Sequence, residues 1–514
     1  MSSETFGPIR SLLWPVHRSE FKQFVPMLLI FFLISFNYNL LRAAKDALVI
    51  TAPSSGAEVL PFIKVWAILP CAVLMTFIFT RLSNKLSKER VFYAMMTIFI
   101  GFFIVFTFIL YPLKDYLHPN ELADTLESYL PRGCKGFIAI FRNWTYTAFY
   151  IMSEMWSTMI MSVLFWGFAN DVTSVKDAKR FYGLLGISCN SSGIVAGLVA
   201  SCLSQNIHFD TTISFGTTAW DQSVLYLNSF IILSGVGCMA LFRYLHSQGF
   251  GYRTTSADNK QPSSVKMGLR KNFAYLTKSK YLISIAVIVV MYNIAINLLE
   301  VVWKDQVKVL YPNPGEFSAY MGQVLTAIGV LATFTSIFLS GNLIRRYSWT
   351  SIAMISPVII ITTGLGFFLF LLLKDTGLSG FAALFGSTPL AMGVFFGTLQ
   401  NCFSRASKYT LFDATKEISF VPLSEECKLK GKAAIDGVGS RLGKSGGALI
   451  HQTLLMSFGT ISASTPYVGG LLIFVIGAWM WAVRSLGFNF KALTENQEVI
   501  TLSEEAPIQT PAPT

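Results

Sequence analysis

The sequence predicts an all-α polytopic membrane protein, with about twelve transmembrane helices arranged as two six-helix halves. Three observations lead there: apolar runs of bilayer length, positive charge that returns in alternate loops, and short motifs that recur six spans apart. Of the 514 residues 53% are hydrophobic and only 13% are charged, too little polar surface for a soluble domain of this size. A spanning helix needs about 20 mostly apolar residues, and runs of that length account for the excess. The 44 phenylalanines suit a lipid-facing exterior.

The runs fall at 24–41, 62–80, 91–111, 145–168, 181–203, 224–245, 281–302, 321–339, 351–373, 381–402, 433–458 and 467–486. Backbone amides at membrane depth find no water, so each run is a helix and not an open strand. Ahead of them, residues 1–23 carry Arg10, Arg18 and Lys22 without an apolar core. That stretch reads as a cytoplasmic N-terminus before a retained anchor, neither a cleavable signal nor a transit peptide. Behind them, 488–514 ends polar and Pro-rich and is expected to be a disordered cytoplasmic tail.

Lys and Arg collect on the cytoplasmic side of membrane proteins. With the N-terminus inside, the inside loops hold Arg81, Lys85, Lys88 and Arg90, then Lys176, Lys179 and Arg180, then a long basic loop from Arg253 to Lys278. Arg345 and Arg346 follow, and after them Arg405, Lys408, Lys416, Lys428 and Lys430. The outside loop 204–223 has Asp210 and Asp221 and no Lys or Arg. Arg42 and Lys45 break the pattern by falling at the outer end of the first span. The net charge of +12 is therefore mostly an orientation signal, and nucleic-acid binding is not expected.

The inside loop 248–280 separates an N-terminal half, 24–247, from a C-terminal half, 281–487. Asn39-Leu40-Leu41-Arg42, followed by Lys45-Asp46, ends the first span; Asn297-Leu298-Leu299-Glu300, followed by Lys304-Asp305, ends the seventh. Lys179, Gly186 and Ser192-Gly193 at the fifth span recur as Lys432, Gly439 and Ser445-Gly446 at the eleventh. Matches between span n and span n+6 are what two parallel repeats produce, with a substrate cavity between them as in the major facilitator type.

An ionised side chain at membrane depth costs at least ~2.5 kcal/mol, so each should face a cavity or a partner. Such residues are Arg42, Lys45, Lys64, Glu154 and Glu300, and in the eleventh span Lys432, Asp436, Arg441 and Lys444. Lys432 and Asp436 are four apart and Arg441 and Lys444 three apart, so each pair shares a helix face. Two cations on one face repel unless an anion lies between them, and a polyphosphate fits a planar Arg fork beside a Lys point charge. The alternative is interhelical ion pairing, for instance Arg441 with Glu154 or Lys45 with Glu300.

Gly443-Lys444-Ser445 resembles the end of a phosphate-binding loop, but the pattern needs its first glycine at Val438, and no strand precedes it. A P-loop is excluded on that ground. The seven cysteines are scattered without Cys-x-x-Cys spacing and the five histidines form no metal pattern, so disulfides, a metal site and a catalytic constellation are not expected. No cofactor is expected.

The stretches Asn39-Leu-Leu-Arg-Ala-Ala-Lys-Asp46, Ser153-Glu-Met-Trp156, Leu164-Phe-Trp-Gly-Phe-Ala-Asn170, Asn297-Leu-Leu-Glu-Val-Val-Trp-Lys304, Lys408-Tyr-Thr-Leu-Phe-Asp-Ala-Thr-Lys416 and Lys430-Gly-Lys-Ala-Ala-Ile-Asp436 through Ala448 together resemble the ATP/ADP translocases of obligate intracellular bacteria and plastids. The resemblance implies exchange of cytoplasmic ADP, alone or with phosphate, for external ATP, without hydrolysis. It places the functional charges on Lys45, Glu154, Glu300 and an eleventh-span lysine, Lys444 or else Lys432. Relatives often carry other residues than Ala43-Ala44 between Arg42 and Lys45, so the role of the lysine carries over and those of its neighbours do not. On this reading Lys45, Arg441 and Lys444, helped by Arg42, Lys64 and Lys432, hold phosphates. Glu154, Glu300, Asp436, Asn39 and Asn297 position substrate or couple charge, and Tyr146, Phe149 or Tyr150 stacks on adenine. The family also contains proton-coupled nucleotide importers, and a carrier of another phosphorylated anion would use a similar basic cavity. The expected setting is a bacterial inner membrane, with both termini cytoplasmic, nucleotides and lipid as partners, and function as a monomer.

Overall fold

The computed structural model describes residues 16–173, 175–205, 209–212, 215–250, 279–340, 343, 346–373, 378–423, 431–432, 435 and 439–505. The linker 251–278 and the last residues, 506–514, lie outside these, as does Asp436. Every regular element among the described residues is helical. The long ones, numbered as spans, are α1 Phe21–Ile50, α2 Val59–Lys85, α3 Lys88–Leu110, α4 Trp144–Val172, α5 Val175–Gln205 and α6 Ala219–Ser247. In the second half come α7 Lys280–Leu310, α8 Pro314–Phe334, α9 Trp349–Leu372, α10 Pro389–Ser407, α11 Ser440–Phe458 and α12 Ile461–Glu505.

Local chemistry starts and stops these helices where the apolar runs meet water. Thr218 Oγ1 accepts from Asp221 N at 3.2 Å while Asp221 Oδ2 accepts from Thr218 N at 2.9 Å, a reciprocal cap at the head of α6. Asn313 caps α8 and Thr388 caps α10, each followed by a proline whose missing N–H costs nothing in the first turn. Gly459, at φ 80°, ends α11 in the left-handed conformation that glycine adopts without penalty. Helix α12 runs on to Glu505, past the expected order boundary at 487. Part of the reason is visible at Phe490, whose ring stacks on Trp349 with centroids 5.5 Å apart.

Ten of the described helices are long and apolar enough to cross a membrane. The expected tenth and eleventh spans, α10 and α11, fall outside that group because polar residues interrupt them, including Gln400, Asn401 and Arg405 in one and Arg441 and Lys444 in the other.

The helices pack in two similar sets. α1 lies against α4, α5 and α6, and α7 lies against α10, α11 and α12. The sets meet along α5 and α8, where small residues let backbones touch. A Cβ on Gly322 would sit 2.7 Å from Gly197 O, and one on Gly329 would sit 2.9 Å from Ile194 N. They meet again where α11 reaches α2, with Gln452 Nε2 donating to Pro61 O at 2.9 Å. Further contacts join the sets at the end where α1 and α7 finish: Ser204 Oγ to Ser318 Oγ at 2.9 Å, and Lys308 to Ser55 O. Outside the bundle at that end, Arg142 of the short helix Lys135–Arg142 pairs with Asp124 at 2.6 Å and Glu127 at 3.0 Å.

Candidate substrate cavity

Between the two sets lies a cavity of about 410 Å³ with an unusual lining for the interior of an apolar bundle. Seven cationic side chains and two carboxylates face it. α1 contributes Arg42 and Lys45, α2 Lys64, α4 Glu154, α7 Glu300, α10 and the turn after it Arg405 and Lys408, and α11 Arg441 and Lys444. Two come from places where the helix departs from α geometry. Lys64 sits in a π-helical turn, Ile63–Ile68, and Lys408 opens another, Lys408–Phe412. Such a turn inserts an extra residue and swings the following side chains around the helix, which is why π turns recur at functional sites.

The carboxylates thread part of this charge into a continuous ladder. Lys45 Nζ is 2.8 Å from Glu154 Oε1 and 3.3 Å from Asp46 Oδ1, and it lies 3.7 Å above the centre of the Tyr150 ring. Asp46 Oδ2 is 2.8 Å from Lys304 Nζ, which is 2.9 Å from Glu300 Oε1. Glu300 in turn meets Arg405 at 3.2 Å and Lys64 at 3.6 Å. Lys64 also donates to Asn297 Oδ1 at 3.0 Å, and Arg405 Nε donates to Asn401 Oδ1 at 2.8 Å. Lys408 is held by Asp413 at 3.1 Å.

Three cations stay outside the ladder. Among the described residues Arg42, Arg441 and Lys444 form no hydrogen bond or ion pair, although all three line the cavity. Arg42 is only 8% exposed, while Arg441 and Lys444 stand open in the cavity on one face of α11. Glycines on the adjacent face bring α11 close to α7. A Cβ on Gly443 would lie 2.9 Å from Val290 O, and one on Gly447 would lie 2.8 Å from Asn297 Cβ. Asn297 Nδ2 seals the contact by donating to Lys444 O at 2.8 Å. Gly443-Lys444-Ser445 is thus helical, with no loop that could wrap a phosphate.

The lining therefore gathers Lys45, Lys64, Glu154, Asn297, Glu300, Arg441, Lys444, Arg42 and Tyr150 of the residues nominated from sequence. Others lie elsewhere. Lys432 is 2.5 Å from Glu417 and outside the cavity, since it precedes α11 and reaches the neighbouring acidic side chain. Asn39 turns toward α5, donating to Ser35 O at 2.9 Å and Ser192 Oγ at 3.5 Å. Phe149 is fully buried between Phe106 and Phe103, and Tyr146 packs on Tyr111 and His118, so neither ring is open to a base. The ion pairs offered as the alternative also re-sort: Lys45 takes Glu154, and Glu300 takes Lys304, Arg405 and Lys64.

Arg405 and Lys408, counted as inside-loop charge, line the cavity together with Tyr38, Tyr292 and Tyr409. Their signal was present but ambiguous. Asn401, Ser404 and Arg405 follow an apolar run without a proline or glycine to end it, so the helix continues through residues that look like a loop. Asp46 and Lys304 stood in the quoted motifs without an assigned role.

Two helix sets around a charged central cavity give the chain a major-facilitator-like fold. In fold the chain is similar to a bacterial homologue of the iron transporter ferroportin, with TM-score 0.51, 15% identity, and coverage of 93% of this chain and 99% of that one. It is also similar to the xylose transporter of E. coli, with TM-score 0.52, 13% identity, and coverage of 90% and 95%. The chain belongs to the TLC ATP/ADP transporter family, whose family model matches residues 1–490. It is 42% identical over 506 residues to ADP,ATP carrier protein 1 of Chlamydia pneumoniae, covering 98% of both chains. It is 41% identical over 490 residues to a plastidic ATP/ADP-transporter of Solanum tuberosum, covering 95% of this chain and 76% of that one. The protein is accordingly a multi-pass membrane transporter and not a hydrolase.

Proposed function

We propose that this chain exchanges ATP for ADP across a membrane by alternating access, with the polyphosphate held between the two helix sets. The observation that carries the reading is the trio Arg42, Arg441 and Lys444, cationic groups that form no hydrogen bond or ion pair among the described residues, in a cavity between apolar helices. Unpaired charge in a low-dielectric interior is costly, and a polyanion removes that cost. The trio takes phosphate oxygens first. Lys45, Lys64 and Arg405 add charge as the phosphates draw them from Glu154 and Glu300, so the carboxylates keep these cations in place while the cavity is empty. Tyr150 is 1% exposed with one ring face occupied by Lys45, which leaves Tyr38 and Tyr409 to meet the base.

Exchange follows from the same electrostatics. Closing both sides of an empty cavity would bury the trio unpaired, whereas a loaded cavity closes neutralised, so the carrier changes sides carrying nucleotide. Direction is set by the ATP and ADP gradients and needs no hydrolysis. The reading extends to ADP leaving with phosphate, to halves bounded at 24–247 and 281–487, and to a monomer in a bacterial inner membrane with both termini cytoplasmic. In that orientation α1 and α7 finish on the outer side.

The test is uptake of labelled ATP into proteoliposomes with and without internal ADP. Uptake that internal ADP stimulates, and that unlabelled ATP but not a sugar phosphate competes away, is the expected result. Uptake indifferent to internal ADP but driven by an imposed pH gradient would replace exchange with proton coupling.

A further inference from the structure

The first and seventh spans carry opposite charges at matched positions. Aligning Asn39 with Asn297 sets Arg42 against Glu300 and Asp46 against Lys304. The second of these pairs closes on itself across the boundary between the two helix sets, Lys304 Nζ lying 2.8 Å from Asp46 Oδ2 with side chains 3% and 0% exposed. Neither residue lines the cavity. Each is instead joined to one that does, Asp46 to Lys45 at 3.3 Å and Lys304 to Glu300 at 2.9 Å. Around the pair, at the end where α1 and α7 finish, the sets are also held by Gln452 donating to Pro61 O at 2.9 Å and by Cys134 Sγ against Met456 Sδ at 3.8 Å.

We infer that Asp46 and Lys304 are a positioning pair that holds the outer mouth of the carrier shut and links that closure to Lys45 and Glu300 in the cavity. The inference rests on the exchange reading above. A buried ion pair adds little net stability over apolar residues, and its best-attested use is to fix register or to switch. Here the switch has somewhere to go. When the outer mouth opens, Asp46 leaves Lys304 but keeps Lys45, and Lys304 keeps Glu300, so neither is stranded. The open and closed states then differ by one ion pair, made or broken. A nucleotide that draws Lys45 toward its phosphates leaves Asp46 to bind Lys304 alone, so load in the cavity is transmitted to the outer seam.

Met456→Cys places a thiol opposite native Cys134 across that seam, and copper-phenanthroline oxidation in proteoliposomes, with the 134–456 disulfide read by mass spectrometry, reports how often the mouth is closed. In this background the double variant D46N/K304Q is expected to cross-link at least about fivefold more slowly, a coupling of ordinary size. The protein should remain inserted and monodisperse. K304R, which keeps the charge, is expected to retain the parental rate. Unchanged cross-linking in D46N/K304Q overturns the inference, as does a loss in K304R equal to that in the double variant. A cross-linking response in protein that exchanges no ATP for ADP keeps the pair as a latch and overturns the exchange reading instead.

Discussion

Lys45 shows how much one side chain in this cavity is asked to do. Its ammonium meets Glu154, Asp46 and the face of Tyr150 at once, each from a different direction. Lys444 is its opposite, a lysine on α11 whose side chain forms no hydrogen bond or ion pair among the described residues. Hydrogen bonds to charged groups are worth about 1.5–3 kcal/mol, which is roughly 10- to 100-fold in affinity. Lys444→Gln is therefore expected to raise the KM for ATP by about that factor, measured as exchange into ADP-loaded proteoliposomes. Lys45→Gln should lose more, because Glu154 then loses its cation and Asp46 one of its two, and uptake at wild-type rate would rule out the phosphate clamp. At this scale the site was readable where a charge interrupts an apolar run, as at Lys45, Glu154, Glu300 and Lys444. It was unreadable at Arg405 and Lys408, because a helix that continues as a π turn through Lys, Tyr and Thr has the composition of a loop.

Helices were legible in proportion to their apolar length. α7, with Ile, Val and Leu through most of its 31 residues, announces itself. α10 and α11 do so less, and those two bring four of the seven cavity cations, counting the turn that follows α10. Which helices touch was not legible, since partner choice depends on the distant surface each face meets. The contact of α5 with α8 illustrates this: Gly322 and Gly329 form no short motif, and Gly197, four residues after Gly193, does not say which helix it meets, yet each of Gly197, Gly322 and Gly329 faces backbone of the other helix. A methyl on Gly322 would approach Gly197 O and Ser201 N to 2.7 Å, too close to be absorbed without separating the helices. Gly322→Ala is expected to destabilise by about 1–3 kcal/mol, the usual cost of overpacking, read as a lower Tm in detergent. Gly183→Ala on α5, where an added Cβ meets nothing within 4 Å, should leave Tm unchanged. Equal effects at the two positions would show that the α5–α8 seam tolerates separation.

The whole molecule obeys a constraint that no single helix shows: it must pass between two closed arrangements without ever burying its cations bare. Two-fold repetition of the helix sets was foreseeable from the recurrence of Asn39 at Asn297 and of Ser192 at Ser445, but the ladder joining the sets depends on Asp46 meeting Lys304, which repetition alone does not imply. With Lys45, Lys64, Arg405 and Lys408 each held by a carboxylate, the residual penalty falls on Arg42, Arg441 and Lys444. Arg441 and Lys444 are exposed in the cavity, whereas Arg42 is 8% exposed. Arg42 should therefore weigh most on the return of an empty carrier. Arg42→Gln keeps a polar side chain and removes the charge, lowering the cost of empty return by more than it weakens binding of a substrate still held by six other cations. A stranded buried charge costs on the order of several kcal/mol, so the ratio of uptake into ADP-free vesicles to uptake into ADP-loaded ones is expected to rise at least about tenfold. Total exchange should fall in the same variant, which separates the effect from a general gain in activity. A ratio that stays at the wild-type value would mean that something other than cavity charge forbids the empty carrier to cross.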